Sequence, residues 1–555
     1  MLKFIIIALI LSASSQRVVA DSPPSAGGQI LQLAPAPIIL KAAPTIRIEQ
    51  VVALAVPVAD ESKIQVNSLQ ITGQTLYSKA ELLAITGFTP GHELTLTELR
   101  ALAQKITDYY RRNGFFVAHA YLPQQDIKGG AVTIAVIEGE YGKVILHNHT
   151  YLTTATADGV LNGLHSGDVI ATPPLERRLL LLSDLPGVEV KSTLVPGATL
   201  GASDLIVDLA PGPRITGEVD VDNAGNRYTG MYRLGATVNV NELLGYGDVA
   251  SVRAVTSGYG LFYVRASYQV QVSAARVGVA GSMLSYRLGE EFESLHANGT
   301  AQVASIYGSY PLIRSRNNNL NAGVAVNYRT FEDRVDSSAT VTDKQAQLFM
   351  ASLYGDHHDT LLGGGLSSYS LTVTTGNLDI RSQAARTTDA ATAQSSGLYN
   401  KLGFSLTRLQ SLTESFSVFA SLNGQVAFNN LDVSEKMELG GMYAVRAYPE
   451  GEAYADEGYV LTVEARMLLP KLIDRLPGEV QLVGFVDTGT VTVNKTPWTT
   501  EQNDRTLSGA GIGVNWMDYN NFSVKAYCAF KLGNESATSA PDKSGRFWVQ
   551  LVKYF

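Results

Sequence analysis

The sequence predicts a transmembrane β-barrel of sixteen antiparallel strands preceded by two small α+β domains, and three observations support this prediction. Residues 212–555 alternate apolar and polar side chains with a period of two and have almost no helical periodicity. Residues 62–211 repeat one β-α-α-β-β pattern twice. The chain opens with a secretory signal, and no later stretch approaches the roughly 20 consecutive apolar residues that a membrane-spanning helix needs.

A signal peptide is predicted over residues 1–20. Lys3 precedes an apolar run from Phe4 to Leu11, and the small residues Val18 to Ala20 end the segment. A cation, a short apolar run and a small-residue cleavage site in this order direct a chain out of the cytoplasm. The apolar run is too short to span a bilayer as a helix.

Composition and charge exclude one class of partner. The 555 residues carry a formal net charge of −8, which gives no basic field that would attract a polyanion. No nucleic-acid partner is therefore predicted. Cys528 is the only cysteine, so no internal disulfide can form and stability is expected to come from packing and the backbone ladder.

A linker rich in proline and alanine is predicted over residues 21–61. Prolines stand at positions 23, 24, 35, 37, 44 and 57. Each proline removes a backbone donor and blocks a long helix, so the segment is expected to be mostly extended. At most a short helix fits, between Ala26 and Ala34.

Two small α+β domains are predicted next, over residues 62–139 and 140–211. The second helix of the first domain begins with the capping box Thr95-x-x-Glu98 and ends at Gly114. The other predicted elements of the first domain are strands over 64–71, 116–121 and 132–138 and a helix over 78–85. The second domain repeats this order more loosely, with strands over 143–148, 188–195 and 204–209 and helices over 155–164 and 174–185.

Residues 212–555 are predicted to form the barrel. Between Phe262 and Val272 every second side chain is apolar, so one face of this strand suits lipid and the other suits water. Sixteen such segments are predicted to begin near Ile215, Tyr228, Gly247, Leu261, Ala275, His296, Leu320, Lys344, Gly364, Ser396, Phe416, Gly458, Val480, Arg505, Phe522 and Arg546.

The connections between these strands give an independent test, because one side of such barrels has short turns. Long connections follow odd-numbered strands and short ones follow even-numbered strands, which disfavours a soluble sandwich. The long connections are predicted around residues 290–295, 333–343, 380–395, 430–457, 495–504 and 534–545.

Three blocks in the first small domain form an ordered series. They are Tyr109 to Phe115, Ala118 to Ile127 and Val132 to Gly139, and they contain Tyr-x-x-x-Gly, Ala-x-x-Pro-x-Gln and Val-x-Ile-x-Val-x-Glu-Gly. This series resembles the first POTRA domain of the two-partner secretion transporters, the haemolysin secretion-activation family. The resemblance covers Ile64 to Phe555. It implies two periplasmic POTRA domains in front of a barrel in the outer membrane.

The longest connection contains Val445-Arg446-Ala447-Tyr448. These residues resemble the Val-Arg-Gly-Tyr tip of the loop that folds into the barrel lumen in this family. Ala447 stands where glycine is usual, and alanine would be strained if the position required a positive φ.

A later strand carries Phe485-Val-Asp487-Thr-Gly489, which is similar to the wall motif that receives the loop arginine in the family. The resemblance implies an ion pair between Arg446 and Asp487 that pins the loop inside the pore, since a buried carboxylate is costly unless paired. From the residues alone, Arg446 would be a solvated loop residue and Asp487 an acid wetted by the lumen.

The last strand alternates up to Phe555. A terminal aromatic residue in this position is interpreted as the C-terminal signal of an outer-membrane barrel, although an ordinary closing strand fits the same residues. Family members often seat an N-terminal helix in the pore. Whether residues 21–40 form such a plug is left open by the prolines.

No catalytic constellation is found, so the chain is not expected to be an enzyme, and no cofactor or metal is predicted. His357-His358-Asp359 is interpreted as a solvated turn after the eighth strand. Gly363 to Gly365 lacks the lysine and helix of a phosphate loop.

The resemblance implies an exporter that captures an extended client with its periplasmic domains and passes it through the barrel without nucleotide. The implied partners are a large secreted client of the adhesin or cytolysin class, outer-membrane lipid, and the barrel-assembly machinery during insertion. The alternatives are a barrel-assembly factor, which normally has more POTRA repeats, and a passive diffusion porin, which would leave the front domains unexplained.

Overall fold

The computed structural model of the chain describes residues 23–33, 45–48, 62–471 and 477–555. The predicted signal peptide and most of the predicted linker lie outside the described residues. Two pieces of the linker are described. Helix α1 (Ala26–Leu31) begins after Ser25, whose side chain accepts the Gly28 N–H, and strand β1 (Thr45–Ile48) follows. No helix in the described ranges is long and apolar enough to cross a membrane.

The first α+β unit surrounds helix α3 with two small sheets. Its elements are β2 (Lys63–Val66), β3 (Ser68–Thr72), α2 (Lys79–Thr86), β4 (His92–Thr95), α3 (Leu96–Arg112), β5 (His119–Tyr121) and β6 (Ala131–Ile137). The capping box at the start of α3 is present, with reciprocal hydrogen bonds between Thr95 and Glu98. The single strand predicted over 64–71 is wrong. It breaks at Asn67, because β2 pairs with β4 whereas β3 pairs in parallel with β6.

The second α+β unit has the order β-α-α-β-β. Its elements are β7 (Glu140–Asn148), α4 (Thr154–Leu161), α5 (Thr172–Ser183), β8 (Val188–Pro196) and β9 (Ala202–Pro211). The sheet order is β1-β8-β9-β7, so the linker strand β1 pairs in parallel with the edge of this unit at β8. The helices cover one face of the sheet through a run of buried leucines in α5.

The remaining strands form a closed antiparallel barrel of sixteen strands, as the sequence predicts. The barrel strands are β10 (Ile215–Asp222), β11 (Arg233–Asn241), β12 (Val249–Thr256), β13 (Leu261–Val272), β14 (Ala275–Arg287), β15 (Ala297–Arg314), β16 (Asn318–Val335), β17 (Thr340–Asp359), β18 (Gly365–Ile380), β19 (Gly397–Ser411), β20 (Phe416–Ala427), β23 (Glu457–Leu468), β24 (Glu479–Thr492), β25 (Asp504–Asp518), β26 (Phe522–Lys531) and β27 (Gly545–Tyr554). The short strands β21 (Met437–Glu438) and β22 (Tyr454–Ala455) pair outside the barrel sheet. The predicted strand starts agree with these bounds to within a few residues. The largest difference is at β11, which begins at Arg233.

Side chains alternate between the two barrel faces. On β11, Leu234 and Val238 point outward and are exposed, whereas Arg233 and Thr237 point into the lumen and are buried. This is the pattern expected of a strand with lipid on one side and a polar interior on the other.

Five of the six long connections predicted from the sequence are long in the structure. Three long connections contain short helices: α6 (Gln383–Ala391) follows β18, and the 3₁₀ turns Glu290–Leu295 and Val433–Glu435 follow β14 and β20. Counted from β10 as the first barrel strand, these are the ninth, fifth and eleventh strands. The long connection predicted over 333–343 is wrong. β16 and β17 continue as a paired ladder to Val335 and Thr340, and only the 3₁₀ turn Asp336–Ser338 with Ala339 joins them.

The second unit is docked on the short turns at one end of the barrel. Arg314 at the end of β15 binds both carboxylate oxygens of Asp184, at 2.7 and 2.8 Å. Arg316 in the following turn binds Glu176 at 2.6 Å. Ala274, in the turn between β13 and β14, packs into the hydrophobic core of the unit. These contacts fix the unit beneath the strands β13 to β16.

Glu138, the acid of the third motif block, organises the first unit. Its carboxylate accepts hydrogen bonds from the Thr75 and Leu76 N–H groups at 2.8 and 2.9 Å, from the Tyr110 hydroxyl at 2.6 Å and from the Thr75 hydroxyl. Burial alone would raise the pKa of Glu138, but these hydrogen bonds outweigh it and lower the pKa below its usual value. The acid therefore ties α3 to the turn after β3.

We expect Glu138→Gln to lower the free energy of unfolding of this unit by about 2–3 kcal/mol, because an amide cannot accept all four hydrogen bonds. The stabilisation from the carboxylate is complete above the ordinary glutamate pKa and is lost as pH falls through the lowered folded-state pKa. Urea unfolding of a soluble fragment of residues 62–211, followed by circular dichroism at neutral and acid pH, measures both effects. Glu93→Gln on the exposed surface is the control, and an equal loss in the two variants would contradict the assignment.

Candidate functional site

The connection between β20 and β23, residues 428–456, folds into the barrel lumen and is termed the lumen loop. Its tip is a tight hairpin in which the Gly441 N–H donates to the Tyr448 carbonyl at 3.1 Å. Gly441 has a φ of +105°, and a side chain there would collide with the carboxylate of Glu450. The glycine therefore lets the hairpin close, and the side chains of Val445 and Tyr448 at its tip are fully buried.

The structure brings together the two charged residues that the motifs single out. Arg446 Nε lies 2.9 Å from Asp487 Oδ2, and Arg446 Nη2 lies 2.8 Å from Asp487 Oδ1. The Arg446 backbone N–H donates to the same carboxylate at 3.2 Å, and the Thr462 hydroxyl donates to it at 2.9 Å. Both ionic side chains are almost completely buried. A bidentate guanidinium–carboxylate pair of this kind fixes both distance and orientation.

Glu464 is a third member of the site that the sequence analysis missed. Arg446 Nη1 donates to Glu464 Oε1 at 2.8 Å, and Arg466 binds the other oxygen of Glu464 at 2.7 Å. Glu464 lies on β23, the strand paired with the one that carries Asp487. Glu464 could have been found from the alternation of side chains along β23, because it faces the lumen together with Thr462 and Arg466.

Aromatic rings complete the surroundings of the guanidinium. Arg446 Cζ lies 3.5 Å from the ring centroid of Phe485 and 4.9 Å from that of Tyr527. The Trp548 indole N–H donates to the Arg446 carbonyl at 2.7 Å. Phe485, the first residue of the wall motif, therefore serves the site as a cation–π surface.

Small residues of the wall leave room for the loop. A side chain at Gly489 would collide with Leu439 of the loop, and one at Gly509 would stand 2.5 Å from the Cβ of Ala447. Ala447 is not among the described non-glycine residues with positive φ, so it is unstrained and the strain considered from the sequence does not occur. The methyl group that this chain adds at the loop tip fills the space left by a wall glycine.

The remaining motif residues lie apart from the ion pair. The Tyr448 hydroxyl donates to the Glu535 carbonyl at 3.0 Å, and Lys531 Nζ lies 4.6 Å from its ring. Phe555 exchanges two backbone hydrogen bonds with Gly217, which closes the barrel between its last and first strands. Its ring is exposed on the outer face.

Helix α1 also lies inside the lumen. Its Ala26 N–H donates to Asp333 at 2.7 Å, and the Gln29 side chain accepts the Thr229 hydroxyl at 2.8 Å. Arg233 donates to the Gln32 carbonyl at 2.8 Å. These partners belong to the inner wall or to the connection after β10. The sequence had left open whether this segment enters the pore, and residues 23–33 do so.

Ion pairs hold the lumen loop to several sides of the wall. They are Lys344–Asp432 at 2.6 Å, Arg329–Glu435 at 2.7 Å, Lys401–Glu435 at 3.0 Å and Arg505–Glu452. The loop supplies acids to wall cations here and a cation to wall acids at Arg446. Loop and wall are therefore electrostatically complementary along the whole insertion.

Among the described residues no group of three or more histidine, cysteine or acidic side chains is placed to hold a metal ion. His357 and His358 lie in β17, which extends to Asp359, so the turn predicted there is wrong. His358 faces Asp356 at 3.9 Å.

Two protein-family models match parts of this chain. The family model described as haemolysin secretion/activation protein ShlB/FhaC/HecB matches residues 201–516, and that of the ShlB-type POTRA domain matches residues 64–139. The heme/hemopexin transporter protein HuxB of Haemophilus influenzae (strain 86-028NP) is 30% identical over 475 residues, 84% of this chain and 82% of that protein. The outer membrane transporter CdiB of Dickeya dadantii (strain 3937) is 23% identical over 70% of each chain.

Solved structures share the fold. CdiB from Escherichia coli superposes with a TM-score of 0.70 at 19% identity, over 90% of this chain and 92% of that chain. BamA from Haemophilus ducreyi lacking POTRA domains 1-3 superposes with a TM-score of 0.52 at 14% identity, over 88% of this chain and 100% of that chain.

We expect Arg446→Ala to release the loop, because it leaves Asp487 buried without its cation and Glu464 with Arg466 alone, at a cost of about 3–5 kcal/mol. Maleimide labelling of Met442→Cys, in a chain that also carries Cys528→Ser, measures loop release, since Met442 is buried when the loop is docked. Labelling should become much faster while the heat-modifiable gel mobility of the folded barrel is kept. Arg408→Ala, which removes a part-exposed pair with Asp359 far from the loop, is the control. The same labelling rate in both variants would contradict the role of Arg446.

We expect Gly509→Ala to displace the loop tip at a cost of about 1–3 kcal/mol, because its new methyl group would overlap that of Ala447. Adding Ala447→Gly to this variant should restore docking, since it removes the other methyl group. The labelling rate at Met442→Cys measures the effect in the two single variants and the double variant. Additive effects, with no rescue in the double variant, would show that the two positions do not touch.

Proposed function

The chain belongs to the haemolysin secretion/activation protein family ShlB/FhaC/HecB, and on that premise we propose how it exports its partner protein. The chain is an outer-membrane transporter whose barrel lies in the membrane with the POTRA units on the periplasmic side. The lumen loop and α1 occupy its described lumen. The proposed cycle begins in this closed state and requires both elements to leave the path of the client.

The occupied lumen is the observation that carries this proposal. A passive diffusion porin needs a lumen that stays open, whereas here the loop tip is completely buried against the wall. The contacts that hold it are ion pairs and hydrogen bonds to a polar wall. Such contacts can be exchanged for water or for a polar client, so the closure is reversible.

We propose that the client is captured as an added strand at the edge of a POTRA sheet. The edge strand β8 of the second unit is already paired with β1 from the linker. A client segment could pair with β8 through the same main-chain hydrogen bonds after displacing β1. Residues 32–44 join β1 to α1, so release of β1 would also loosen the tether of the plug.

We further propose that Arg446 and Asp487, with Glu464, control whether the lumen is closed. Their contacts join the loop to two wall strands, β23 and β24, so loss of this cluster frees the loop tip. Val445 and Tyr448 support the tip by packing. Phe485 holds the guanidinium, Gly489 makes room for Leu439, and Phe555 closes the barrel seam.

The proposal has no catalytic step, cofactor or nucleotide. Folding of the client outside the cell would trap it beyond the pore and so drive transport. The proposed client is a large secreted protein of the adhesin or cytolysin class. The other proposed partners are outer-membrane lipid and the barrel-assembly machinery during insertion. The proposed division of the chain places the POTRA units at 62–139 and 140–211 and the barrel at 212–555.

Deleting residues 62–211 is expected to abolish export of the partner protein while the barrel still inserts, because the capture edges are lost and the sixteen-strand sheet is kept. Export is measured as client at the cell surface, and insertion as heat-modifiable mobility together with conductance in planar bilayers. The charge-conserving variant Arg408→Lys, with the POTRA units intact, is the control. Undiminished export by the truncated barrel would overturn the capture step.

A further inference from the structure

Four apolar side chains lie exposed where the second POTRA unit meets the barrel. Tyr151, in the loop after β7, is 65% exposed, and Leu243, Leu244 and Tyr246 in the turn between β11 and β12 are 46%, 61% and 51% exposed. Together they are termed the junction patch. Monomeric proteins rarely expose contiguous apolar side chains without a partner.

The junction patch is presented by a folded turn. The fully buried carboxylate of Asp248 accepts the Leu244 N–H at 3.0 Å, the Tyr246 N–H at 2.9 Å and the Tyr268 hydroxyl at 3.1 Å. The Gly245 carbonyl accepts the Thr153 N–H at 2.8 Å, which joins the turn to the POTRA unit. The exposure of the patch is therefore built into the fold.

The junction patch continues the lipid-facing surface of the barrel. Tyr268, which binds Asp248, lies on the same strand face as the exposed side chains of Phe262 and Val272 on β13. Ile215, the first residue of β10, is exposed beside Arg214. Tyrosine side chains at the end of such an apolar face are typical of the membrane–water interface.

Arg214 adds a cation to the junction patch. Its Cζ lies 4.9 Å from the ring centroid of Tyr151, and Arg214 is exposed. A guanidinium stacked on one face keeps its N–H edge free for a phosphate group. Apolar side chains next to such a cation match the acyl chains and phosphate of a phospholipid.

We propose that the junction patch inserts into the periplasmic leaflet of the outer membrane, with Arg214 on a lipid phosphate, and anchors the second POTRA unit to the bilayer surface. The unit is then held at two places, by the ion pairs of Arg314 and Arg316 under the barrel and by lipid at its side. The anchoring extends the proposed function, because it sets the height and tilt of the strand edge that faces the periplasm. It does not depend on what the client is.

A nitroxide label at Leu244→Cys or Tyr151→Cys tests the proposal in the full chain, with Cys528→Ser as background. The protein is reconstituted in vesicles of phosphatidylethanolamine and phosphatidylglycerol, and power saturation compares oxygen, which partitions into lipid, with a nickel chelate, which stays in water. The oxygen-to-nickel accessibility ratio at both sites should be several-fold higher than at Leu200→Cys. Leu200, in the hairpin between β8 and β9, is 86% exposed and serves as the aqueous control.

Three results would overturn the proposal. A ratio equal to that at Leu200 would place the patch in water, as a docking site kept free for a client would be. Spin–spin broadening that disappears on dilution with unlabelled protein would place a second copy there. An unchanged ratio in Arg214→Glu would show that no phosphate is bound.

The proposal expects Arg214→Glu to lower the ratio at Tyr151→Cys in these vesicles and Arg214→Lys to keep most of it. Heat-modifiable mobility confirms that each variant still folds.

Discussion

Every backbone N–H and C=O group in the hydrocarbon of a membrane must find its partner within the protein, and this constraint determines the rest of the structure. A chain without long apolar segments satisfies it by closing its strands into one sheet. Sixteen strands enclose a lumen that wall side chains alone do not fill. A barrel that must not leak therefore needs an insertion, and the described residues supply two, the lumen loop and α1. The site arises from the need to attach an insertion to a wall that must remain polar.

The attachment relies on charge and on shape in different ways. A buried ion pair adds little net stability compared with apolar packing, because both ions lose their hydration, but removing one partner is expensive. The cluster of Arg446, Asp487 and Glu464 therefore fixes where the loop binds more than how strongly it binds. Shape complementarity comes from Gly489 and Gly509, where the wall has no side chain and the loop approaches closely. Together they define one docked position on β23 to β25.

The sequence predicted the parts of the fold that depend on local pattern. Alternation along each strand identified all sixteen barrel strands, since the side-chain period of a strand is fixed by its backbone. It failed where pairing partners decide the outcome. The break at Asn67 follows from two separate sheets, and the ladder reaching Val335 and Thr340 follows from two long strands that stay paired to their ends. Polar residues at a strand end and in a loop look alike in sequence.

The candidate site shows the same division. Arg446 and Asp487 were singled out because two motifs resemble those of a known family, and the structure places them in contact. Glu464 could have been noticed from its inward parity beside the Asp487 strand. The position of α1 could not, because Ala26–Leu31 is short and weakly patterned and is placed by distant partners such as Asp333. The backbone conformation of Ala447 could not be predicted from the sequence either, since it depends on the space that Gly509 leaves in the wall.

The two lumen insertions are also attached to each other, which links their departures. A Cβ at Gly27 of α1 would lie 2.7 Å from the Cβ of Ser434 in the loop, so the two backbones approach closely there. Gln32, at the end of α1, donates to the Tyr454 hydroxyl at 2.5 Å and to Glu438 at 3.4 Å. Removing α1 leaves these loop groups without their partners, and removing the loop uncovers one side of α1. Each insertion is therefore more stable with the other present, so the lumen favours being fully closed or fully open over a half-filled state.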